Sequence, residues 1–431
     1  MPERKSTLSL FIVSHRQSED WAALLPAVRS MLATLNVEPE ILIVSHAVDE
    51  HTREVFEQNR CILLSPKDSD YGTALRTAIQ QSTGEYLIAM DADQAAPFDF
   101  LCDLWEARQT ADIVIGSRYI PDGNAGMPLT RRMISKGSNF IFGRGLDLQV
   151  RDMSSAFRLY RRSVVKNLST ESKGYDILQE ILVKARMEGY QIRELPFRYQ
   201  SSDPAFARAF QFGWAYFKTF TRLWKLRNSI ASADYDARAY NALMPPQRYW
   251  QRQRYKIITG LIHKNGNKKC LDVGCGSSRI IGALPKGSLA IDILLRKLRY
   301  ARRFGHPMVQ GSIFDLPVPN KSFPCVLCSQ VIEHVPRANV LDELDRVLQP
   351  GGFLILGTPD YANWEWRLIE WLYKVLLPQA YADEHITHYT NAELVQEFVL
   401  KRGYELEQVK YILRGELILA LRKPSDEGNR N

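Results

Sequence analysis

The chain has 431 residues and a formal net charge of +8, with 45% hydrophobic and 24% charged residues. This length is too great for one ordinary core, so two or three domains are expected, and the composition excludes a disordered or fibrous chain. Its apolar runs are shorter than the roughly 18 residues that a membrane-spanning helix needs. The six cysteines are too scattered for a disulfide framework, which predicts a reducing compartment.

Short apolar runs alternate with helical patterns over the first two hundred residues. This alternation predicts βαβ units and a mostly parallel sheet of the α/β class. The chain start is interpreted as the first strand rather than a signal peptide. The predicted strands are Leu8–Val13, Glu40–Val44, Cys61–Leu64, Leu87–Met90 and Ala111–Gly116.

The fourth of these strands ends in two carboxylates, Asp91 and Asp93. In an open α/β sheet, ligands bind outside the carboxyl ends of the strands. Hard oxygen ligands at that edge suit Mg²⁺ or Mn²⁺ bound to a diphosphate. The alternative is a pair of solvated carboxylates in a turn, and the motif alone favours that alternative.

Arginine and serine residues are concentrated downstream, in residues 117–119, 130–137 and 151–162. Guanidinium groups bind phosphate with paired hydrogen bonds, and hydroxyl groups can add further ones. The segments therefore indicate phosphate binding, with a solvated basic face as the alternative.

These residues resemble family 2 glycosyltransferases, in particular the dolichyl or polyprenyl phosphate mannosyl- and glucosyltransferase branch. The blocks GEYLIAMDAD, ADIVIGSRY, PLTRRMISKG, RDMSSAFRLYRR and SKGYD occur in the family's order within about residues 8–200. The resemblance implies a GT-A fold, a nucleotide-sugar donor, Mg²⁺ or Mn²⁺, and a polyprenyl phosphate or lipid-linked glycan as acceptor. It also implies that Asp91 and Asp93 bind the metal, and that Arg118, Arg131 and Ser135 hold the acceptor phosphate.

The donor side departs from the family pattern. Ser14–Glu19 and Val44–Val48 replace the usual nucleotide-contacting loops, and Ala95 stands where a glutamine is usual. Two interpretations follow: either the donor is unusual, or this domain is an inactive scaffold that binds the acceptor for another activity.

A basic segment rich in aromatic residues follows. Its spacing of three or four residues predicts a helix with one aromatic face, suited to an anionic membrane surface. Docking on the protein's own core is the alternative, and nucleic-acid binding is disfavoured because no nucleic-acid module accompanies it. Residues 228–246 are interpreted as a linker, giving domains at 1–203 and 247–431 joined by 204–246. The aromatic positions are Phe206, Phe210, Trp214, Phe217, Phe220 and Trp224.

In the second half, Lys269–Ser278 forms a strand pattern that runs into a glycine turn at Gly274 and Gly276. Glycine lets the backbone bend sharply and lets a cofactor approach closely. Asp292 ends the next apolar run, where a carboxylate can bind both hydroxyls of a ribose. The third glycine of a dinucleotide fingerprint is missing, which argues against NAD.

The blocks LDVGCG, AID, GSIFDLPVPNKSF, VLCSQVIEHV and LDELDRVLQPGGFLILGTP resemble class I S-adenosylmethionine-dependent methyltransferases over about residues 268–422. The resemblance implies a seven-stranded Rossmann-like sheet and S-adenosylmethionine as cofactor. It places Asp272, Gly274 and Gly276 around the methionine moiety. It likewise places Asp292 at the ribose, and Ser312 and Ile313 beside the adenine.

A hydroxyl acceptor would need a base, and His334, His385 and His388 are the candidates because histidine titrates near neutral pH. The alternative for each is a structural histidine, and His385 and His388 also form a candidate metal pair. Cys325 and Cys328 lie within one strand pattern, where residues three apart face opposite sides. A further aromatic helix is predicted from Trp364 to Leu376, either core, acceptor lid or membrane-facing.

The sequence therefore predicts a bifunctional enzyme. A family 2 glycosyltransferase that acts on a polyprenyl phosphate or lipid-linked glycan is fused to an S-adenosylmethionine-dependent methyltransferase. The second domain is expected to methylate an oxygen of the sugar or of a related intermediate. It is expected to be cytoplasmic and peripheral on the inner face of the membrane, without a nucleic-acid partner. The scaffold interpretation of the first domain is the alternative, and the pattern does not indicate an oligomeric state.

Overall fold

The structure, a computed structural model, divides into two compact units, Met1–Arg227 and Asn228–Asn431. No helix in the part of the chain that it describes has the length and apolar character required to cross a membrane. The described residues are 7–14, 20–35, 37–46, 48–92, 98–200, 213–242, 245–376 and 385–425.

The first unit alternates strands with helices, as the sequence predicts. Several helices begin at an aspartate whose side chain accepts a hydrogen bond from the first turn, as Asp20, Asp49 and Asp70 do. Its strands are β1 (Leu8–Val13), β2 (Glu40–Val44), β3 (Ile62–Leu64), β4 (Tyr86–Asp91), β5 (Ile113–Ser117), β6 (Asn124–Gly126), β7 (Arg158–Arg161), β8 (Ile192–Pro196) and β9 (Arg198–Gln200). Its helices are α1 (Trp21–Ala33), α2 (Glu50–Gln58), α3 (Tyr71–Gln81), α4 (Phe100–Glu106), α5 (Leu129–Gly145), α6 (Arg162–Val165), α7 (Ile177–Met187) and α8 (Gly213–Arg227).

The main sheet of this unit has the strand order β3-β2-β1-β4-β7-β5-β8. β1 pairs in parallel with both β2 and β4, whereas β7 is antiparallel to β4 and β5. Apolar side chains cover both faces of the sheet. The carboxyl ends of β1, β2 and β4 consequently meet at one edge, and Asp91 is the last residue of β4.

Helix α8 docks on the first unit instead of presenting its whole aromatic face outward. Leu223 is fully buried, and Phe220 packs edge-on against Phe142 of α5 at 5.2 Å. The Thr219 hydroxyl donates to Asp176 at 2.6 Å, and Arg227 donates from Nε to the Leu146 carbonyl at 3.0 Å. For Phe220, the member of the predicted aromatic face among these residues, the alternative of docking on the protein's own core therefore applies.

The outer side of α8 does remain exposed. Phe217 and Trp224 lie there together with Lys218 and Lys225. The Trp214 side chain, Phe206 and Phe210 are outside the described residues.

The second unit contains a second α/β layer structure. Its strands are β10 (Cys270–Val273), β11 (Leu289–Asp292), β12 (Met308–Gln310), β13 (Phe323–Ser329), β14 (Leu348–Pro359), β15 (Glu405–Ile412) and β16 (Glu416–Arg422). Its helices are α9 (Tyr235–Ala239), α10 (Pro245–Lys264), α11 (Leu295–Ala301), α12 (Val340–Val347), α13 (Trp364–Leu376) and α14 (Asn391–Val395), followed by a π-helical turn at Gln396–Lys401.

The seven strands run in the order β12-β11-β10-β13-β14-β16-β15. The first five are parallel where they pair, and β16 is antiparallel to both β14 and β15. Cys325 and Cys328 on β13 belong to cores on opposite faces of the sheet, which confirms the prediction from strand periodicity. This is the Rossmann-like sheet that the sequence predicts.

Residues 228–242, predicted to be linker, are part of this second unit. They include α9, whose Asp236 accepts a hydrogen bond from the backbone N–H of Ser277 at 3.0 Å. The division between the units lies between Arg227 and Asn228. The stretch that follows is held to the glycine turn by the hydrogen bond between Ser277 and Asp236.

Candidate active sites

Asp91 lies at the carboxyl edge of the first sheet, opposite Val13 in the parallel register. It is 8% exposed, and its Oδ1 accepts a hydrogen bond from the Tyr71 hydroxyl at 3.1 Å. The Tyr71 ring stacks on Tyr175 at 4.1 Å. Burial, with the charge of Asp91 next, raises the pKa of Tyr71 well above its usual value, so this phenol remains a donor to the carboxylate.

The rest of the predicted donor site is outside the described residues. That applies to Asp93, to Ala95 and to residues 15–19 of the first loop. One of the two predicted metal ligands can therefore be placed, at the sheet edge where ligands bind in such folds.

Arg118 and Ser135 are brought together by a polar cluster around Asp152. Arg118 donates from Nε and Nη2 to the two carboxylate oxygens of Asp152, at 2.7 and 2.8 Å. Nη2 also donates to the Ser154 hydroxyl at 2.8 Å, and Ser135 Oγ lies 3.5 Å from Ser154 Oγ. Arg131 is in the first turn of the same helix as Ser135, but its side chain is not among those described.

Asp152 is a residue that sequence reasoning missed. Burial alone would raise the pKa of Asp152, but the adjacent Arg118 charge and its hydrogen bonds hold that pKa below its usual value. The same carboxylate raises the pKa of Arg118 against the effect of burial. The guanidinium is thus fixed in orientation by a bidentate pair, and the sequence block RDMSS that contains Asp152 was the available signal.

Not every arginine in residues 151–162 is available to bind an external anion. Arg158 is fully buried and donates to the backbone carbonyls of Met153, Ser155 and Leu178. It stabilises the loop before β7, so for Arg158 the phosphate interpretation of the basic segment is wrong.

In the second unit, a cavity of about 640 Å³ opens at the carboxyl ends of the parallel strands. Every residue predicted to contact the cofactor lines this cavity. These are Asp272, Gly274, Gly276, Asp292, Ser312 and Ile313.

The glycine turn shapes one wall of this cavity. Gly274 and Gly276 have φ angles of +70° and +57°, in the left-handed region that other residues avoid. A Cβ at Gly274 would lie 2.3 Å from Val331, and one at Gly276 would lie 2.6 Å from Asp236. Only glycine fits at either position without displacing its neighbour.

A partly buried ion pair that the sequence did not reveal supports this turn. Asp236 accepts from the Ser277 hydroxyl at 3.1 Å and from Lys297 Nζ at 3.2 Å. Burial would raise the pKa of Asp236, but Lys297 and the Ser277 hydrogen bonds hold it below its usual value. Asp236 is forty residues before Gly276 in a polar stretch that carries no motif, so no local signal pointed to it.

Asp292 and Asp272 form the acidic part of the cavity. Asp292 accepts from the Gly276 backbone N–H at 2.8 Å through Oδ2, and from Leu294 at 2.8 Å through Oδ1. Burial and the nearby Asp292 carboxylate raise the pKa of Asp272 to about 7. A cationic ligand group beside Asp272 would therefore stabilise its ionised form.

Ser312 and Ile313 line the same cavity further along. The Ser312 hydroxyl accepts a hydrogen bond from the Phe314 backbone N–H at 3.2 Å. This contact fixes the turn after β12, so Ser312 contributes to the shape of the wall as well as its polarity.

Two of the three candidate histidines face the cavity. His334 and His385 both line it, with ring centroids 4.8 Å apart. His388 is exposed and stacks on Tyr361 at 4.0 Å, and it is not among the lining residues described for this cavity.

Backbone hydrogen bonds explain how residues fifty positions apart meet here. The N–H groups of Ile386 and Thr387 both donate to the Glu333 carbonyl, at 2.8 and 3.0 Å. The Thr387 hydroxyl donates to the Val335 carbonyl at 2.6 Å. These contacts hold the segment after residue 384 against the short helix Ile332–His334.

Glu333 is fully buried beside these histidines. Its Oε2 accepts from the Thr358 hydroxyl at 3.2 Å, and burial raises the pKa of Glu333 to about 8.

Helix α13 presents different sides to solvent and to the cavity. Trp366 and Ile369 line the cavity, which favours the predicted lid role for that side. Trp364, Leu368 and Trp371 are exposed, so the core interpretation is wrong for them.

Comparison with known proteins gives matches to both units. Residues 9–169 match the family model described as Glycosyl transferase family 2, and residues 271–356 match the one described as Methyltransferase domain. The chain is 28% identical over 202 residues to dolichol-phosphate mannosyltransferase of Pyrococcus furiosus, covering 44% of this chain and 56% of that protein. It is 33% identical over 119 residues to undecaprenyl-phosphate mannosyltransferase of Micrococcus luteus, covering 27% of this chain and 49% of that protein. The chain thus spans about half the length of the curated relatives it matches.

Among solved structures, glucosyl-3-phosphoglycerate synthase from Mycobacterium tuberculosis is similar with a TM-score of 0.41 and 13% identity. That match covers 51% of this chain and 80% of the other. A putative methyltransferase from Bacillus halodurans is similar with a TM-score of 0.33 and 21% identity, covering 39% of this chain and 99% of the other.

Proposed function

Because the chain joins a family 2 glycosyltransferase domain to a methyltransferase domain, we propose that it is a bifunctional transferase. The first unit transfers a sugar from a nucleotide donor to a polyprenyl phosphate or lipid-linked glycan. The second transfers a methyl group from S-adenosylmethionine to an oxygen of the sugar or of a related intermediate. The observation that carries the proposal is the cavity of the second unit, which contains the complete predicted set of cofactor positions.

The methyl donor fits this cavity. The glycine turn leaves room where a Cβ would clash, and Asp292 and Asp272 offer carboxylates toward ribose hydroxyls and a cationic amino acid moiety. Bound S-adenosylmethionine supplies an already activated methyl group, so the chain's residues have chiefly to position the acceptor in line. His334 and His385 face the same cavity and are the residues that would contact an acceptor hydroxyl.

For the sugar-transfer half, the support is the polar cluster of Arg118, Asp152, Ser154 and Ser135 together with Asp91 at the sheet edge. A phosphate monoester is largely ionised at neutral pH, so it can act as the nucleophile without a protein base. Arg118, held by Asp152, would orient it. Asp91 would contribute one oxygen ligand to Mg²⁺ or Mn²⁺, whose charge stabilises a departing diphosphate. The relatives named as polyprenyl- and dolichol-phosphate mannosyltransferases support this acceptor class.

We also propose that the outer face of α5 binds the cytoplasmic membrane surface. This face is defined by Leu129, Met133, Phe140 and Ile141, all exposed, with the exposed basic residues Arg132, Lys136 and Arg144 beside them. Apolar side chains flanked by cations suit an interface with anionic lipid. Ser135 is on the same helix, directed toward Ser154, so a docked α5 would bring a lipid phosphate to the predicted acceptor cluster.

Calorimetry tests the methyl-donor site. Asp292→Ala is expected to weaken S-adenosylmethionine binding about tenfold or more, since each lost 1.4 kcal/mol is a factor of ten. Asp315→Ala, a nearby acidic residue outside the cavity lining, serves as the matched control. Equal affinities for the wild type and Asp292→Ala would refute the assignment.

Nucleotide-sugar binding separates the proposal from its alternative, an inactive acceptor scaffold. With Mn²⁺ present, saturable binding of a nucleotide sugar that is lost in Asp91→Asn supports an active first unit. If no member of a donor panel binds, and polyprenyl phosphate still does, the scaffold alternative is correct.

A further inference from the structure

We propose that Glu333, His334 and His385 form a divalent metal site on the wall of the methyltransferase cavity, suited to Zn²⁺ or a first-row transition metal. The ligand atoms that these side chains offer all lie within 4.8 Å of one another. Two imidazole nitrogens and one carboxylate oxygen are the ligands of many catalytic zinc and mononuclear transition-metal centres, which keep further positions open.

The spacing is close to what an ion requires. With ligands at roughly 2.1 Å, the ligand atoms around a metal are separated by at most about 4.2 Å. Small rotations of the two imidazole rings, which are partly exposed, would close the remaining gap. The backbone needs no change, because hydrogen bonds from Ile386 and Thr387 to the Glu333 carbonyl already hold the two segments together.

An independent observation comes from the buried carboxylate. Oε1 of Glu333 is buried and has no hydrogen-bond partner among the residues that the structure describes, while Oε2 accepts from Thr358. Burying an acceptor without a partner costs free energy. A cation bound to Oε1 would satisfy it and compensate the negative charge.

The outer contacts also suit a metal site. The Tyr361 hydroxyl lies 2.6 Å from Nδ1 of His385, and a hydrogen bond at one ring nitrogen orients the other toward a metal. Thr358 plays the corresponding role for Glu333. Such supporting contacts are typical of metal ligands and fix their geometry.

The position of the site gives it a role. His334 and His385 line the same cavity as the predicted cofactor residues, so open metal positions would face the methyl acceptor. The metal would bind an acceptor oxygen and favour its deprotonation, which points to a hydroxyl-bearing acceptor. This role rests on the proposed methyltransferase function, whereas the metal site itself does not.

Metal binding to the full chain tests the proposal. Chelator-treated protein is titrated with Zn²⁺ by calorimetry and with Co²⁺ by visible absorption, where imidazole-bound Co²⁺ gives ligand-field bands. We expect a saturable site whose Zn²⁺ affinity falls at least about tenfold in His385→Ala and in Glu333→Gln. His263→Ala, an exposed histidine at the end of α10, is the matched control and should leave the affinity unchanged.

Asp91→Asn is included so that binding at the first unit is recognised, and it should not change the Co²⁺ bands. Unchanged Zn²⁺ affinity and Co²⁺ bands in His385→Ala would overturn the proposal, and this variant decides alone if Glu333→Gln does not fold. S-adenosylmethionine affinity is measured on the same samples. Loss of metal binding with retained cofactor binding separates failure of this site from failure of the methyltransferase function.

Discussion

At Gly276 the backbone has a φ of +57°, and a Cβ would lie 2.6 Å from Oδ2 of Asp236. Gly276→Ala therefore combines backbone strain of about 1 kcal/mol with a clash against the ion pair that supports the turn. We expect S-adenosylmethionine affinity to fall tenfold or more, measured by calorimetry. Gly266→Ala has a similar φ of +73°, but its Cβ would have no atom of the described residues within 4 Å, so it should lose stability without losing cofactor affinity. Equal cofactor affinities for the two variants would contradict this account of the turn.

Asp272 gives a prediction about pH. Its pKa rises from 3.8 to about 7 on folding, through burial and the charge of Asp292. Between these values the folded state binds more protons than the unfolded state, so the free energy of unfolding decreases as pH rises. The limiting slope is about 1.4 kcal/mol per pH unit, and it vanishes above the folded pKa.

Asp272→Asn removes this titration. Urea unfolding of the second unit, without cofactor, should show the variant gaining stability relative to the wild type between pH 5 and pH 8. Because the wild type and the variant share all other titrating groups, the difference between their free energies of unfolding isolates the contribution of Asp272. A stability difference that stays constant over this range would show that Asp272 ionises normally in the folded protein.

At the scale of elements, helix α8 shows that packing decides whether the apolar side of an amphipathic helix faces a membrane or the protein core. Arg222 donates from Nη1 to Glu171 at 2.7 Å, and its Nη2 lies 3.2 Å from Glu180 Oε2. Arg222→Ala should destabilise the first unit by about 1–3 kcal/mol, because it leaves the buried Glu180 with fewer partners. Lys225→Ala, on the exposed side of the same helix, should change stability by less than about 0.5 kcal/mol. Urea unfolding measures both, and equal effects would argue against docking of α8.

The outer face of α5 gives a second prediction at this scale. Met133 and Phe140 are 66% and 69% exposed, and burying a large apolar side chain contributes about 1.5–3 kcal/mol. The double variant Met133→Ser/Phe140→Ser should therefore reduce flotation with anionic liposomes by at least tenfold. Leu400→Ser, at an exposed apolar residue of the second unit, should not. If both proteins float like the wild type, α5 is not the membrane contact.

Features that are set by residues close together in the chain could be predicted from the sequence, whereas contacts between distant residues could not. Strand β4 with Asp91, and the glycine turn with Gly274, are set by neighbours in the chain, so periodicity and glycine spacing were sufficient. Motif order predicted cofactor positions up to Ile313, and these positions line one cavity. The pairing of Arg118 with Asp152, and of Lys297 with Asp236, could not be predicted. Such pairs form between residues that are distant in the chain and leave no local pattern.

The same limit applies to faces of helices. An amphipathic pattern shows that one side is apolar but not what covers it. Phe220 of α8 is covered by Phe142, whereas Met133 of α5 remains exposed. The sequence pattern had assigned the membrane contact to α8. The convergence of His334 with His385 depends on backbone hydrogen bonds that no spacing rule contains.

At the scale of the whole molecule, the proposed function combines two transfer reactions in one chain. Covalent linkage raises the effective concentration of the second domain toward a product that stays in the membrane. This requires that the lipid product of the first unit, or a compound derived from it, be the methyl acceptor of the second.

The most direct test is a double-label assay with the full chain, anionic vesicles containing undecaprenyl phosphate, Mn²⁺, a panel of labelled nucleotide sugars and methyl-labelled S-adenosylmethionine. Both labels should enter the lipid fraction, with the methyl label depending on the sugar donor. Asp91→Asn should abolish both, and Asp292→Ala only the methyl label. Failure of every donor to label the lipid, with no methyl label dependent on a sugar, would contradict the bifunctional account.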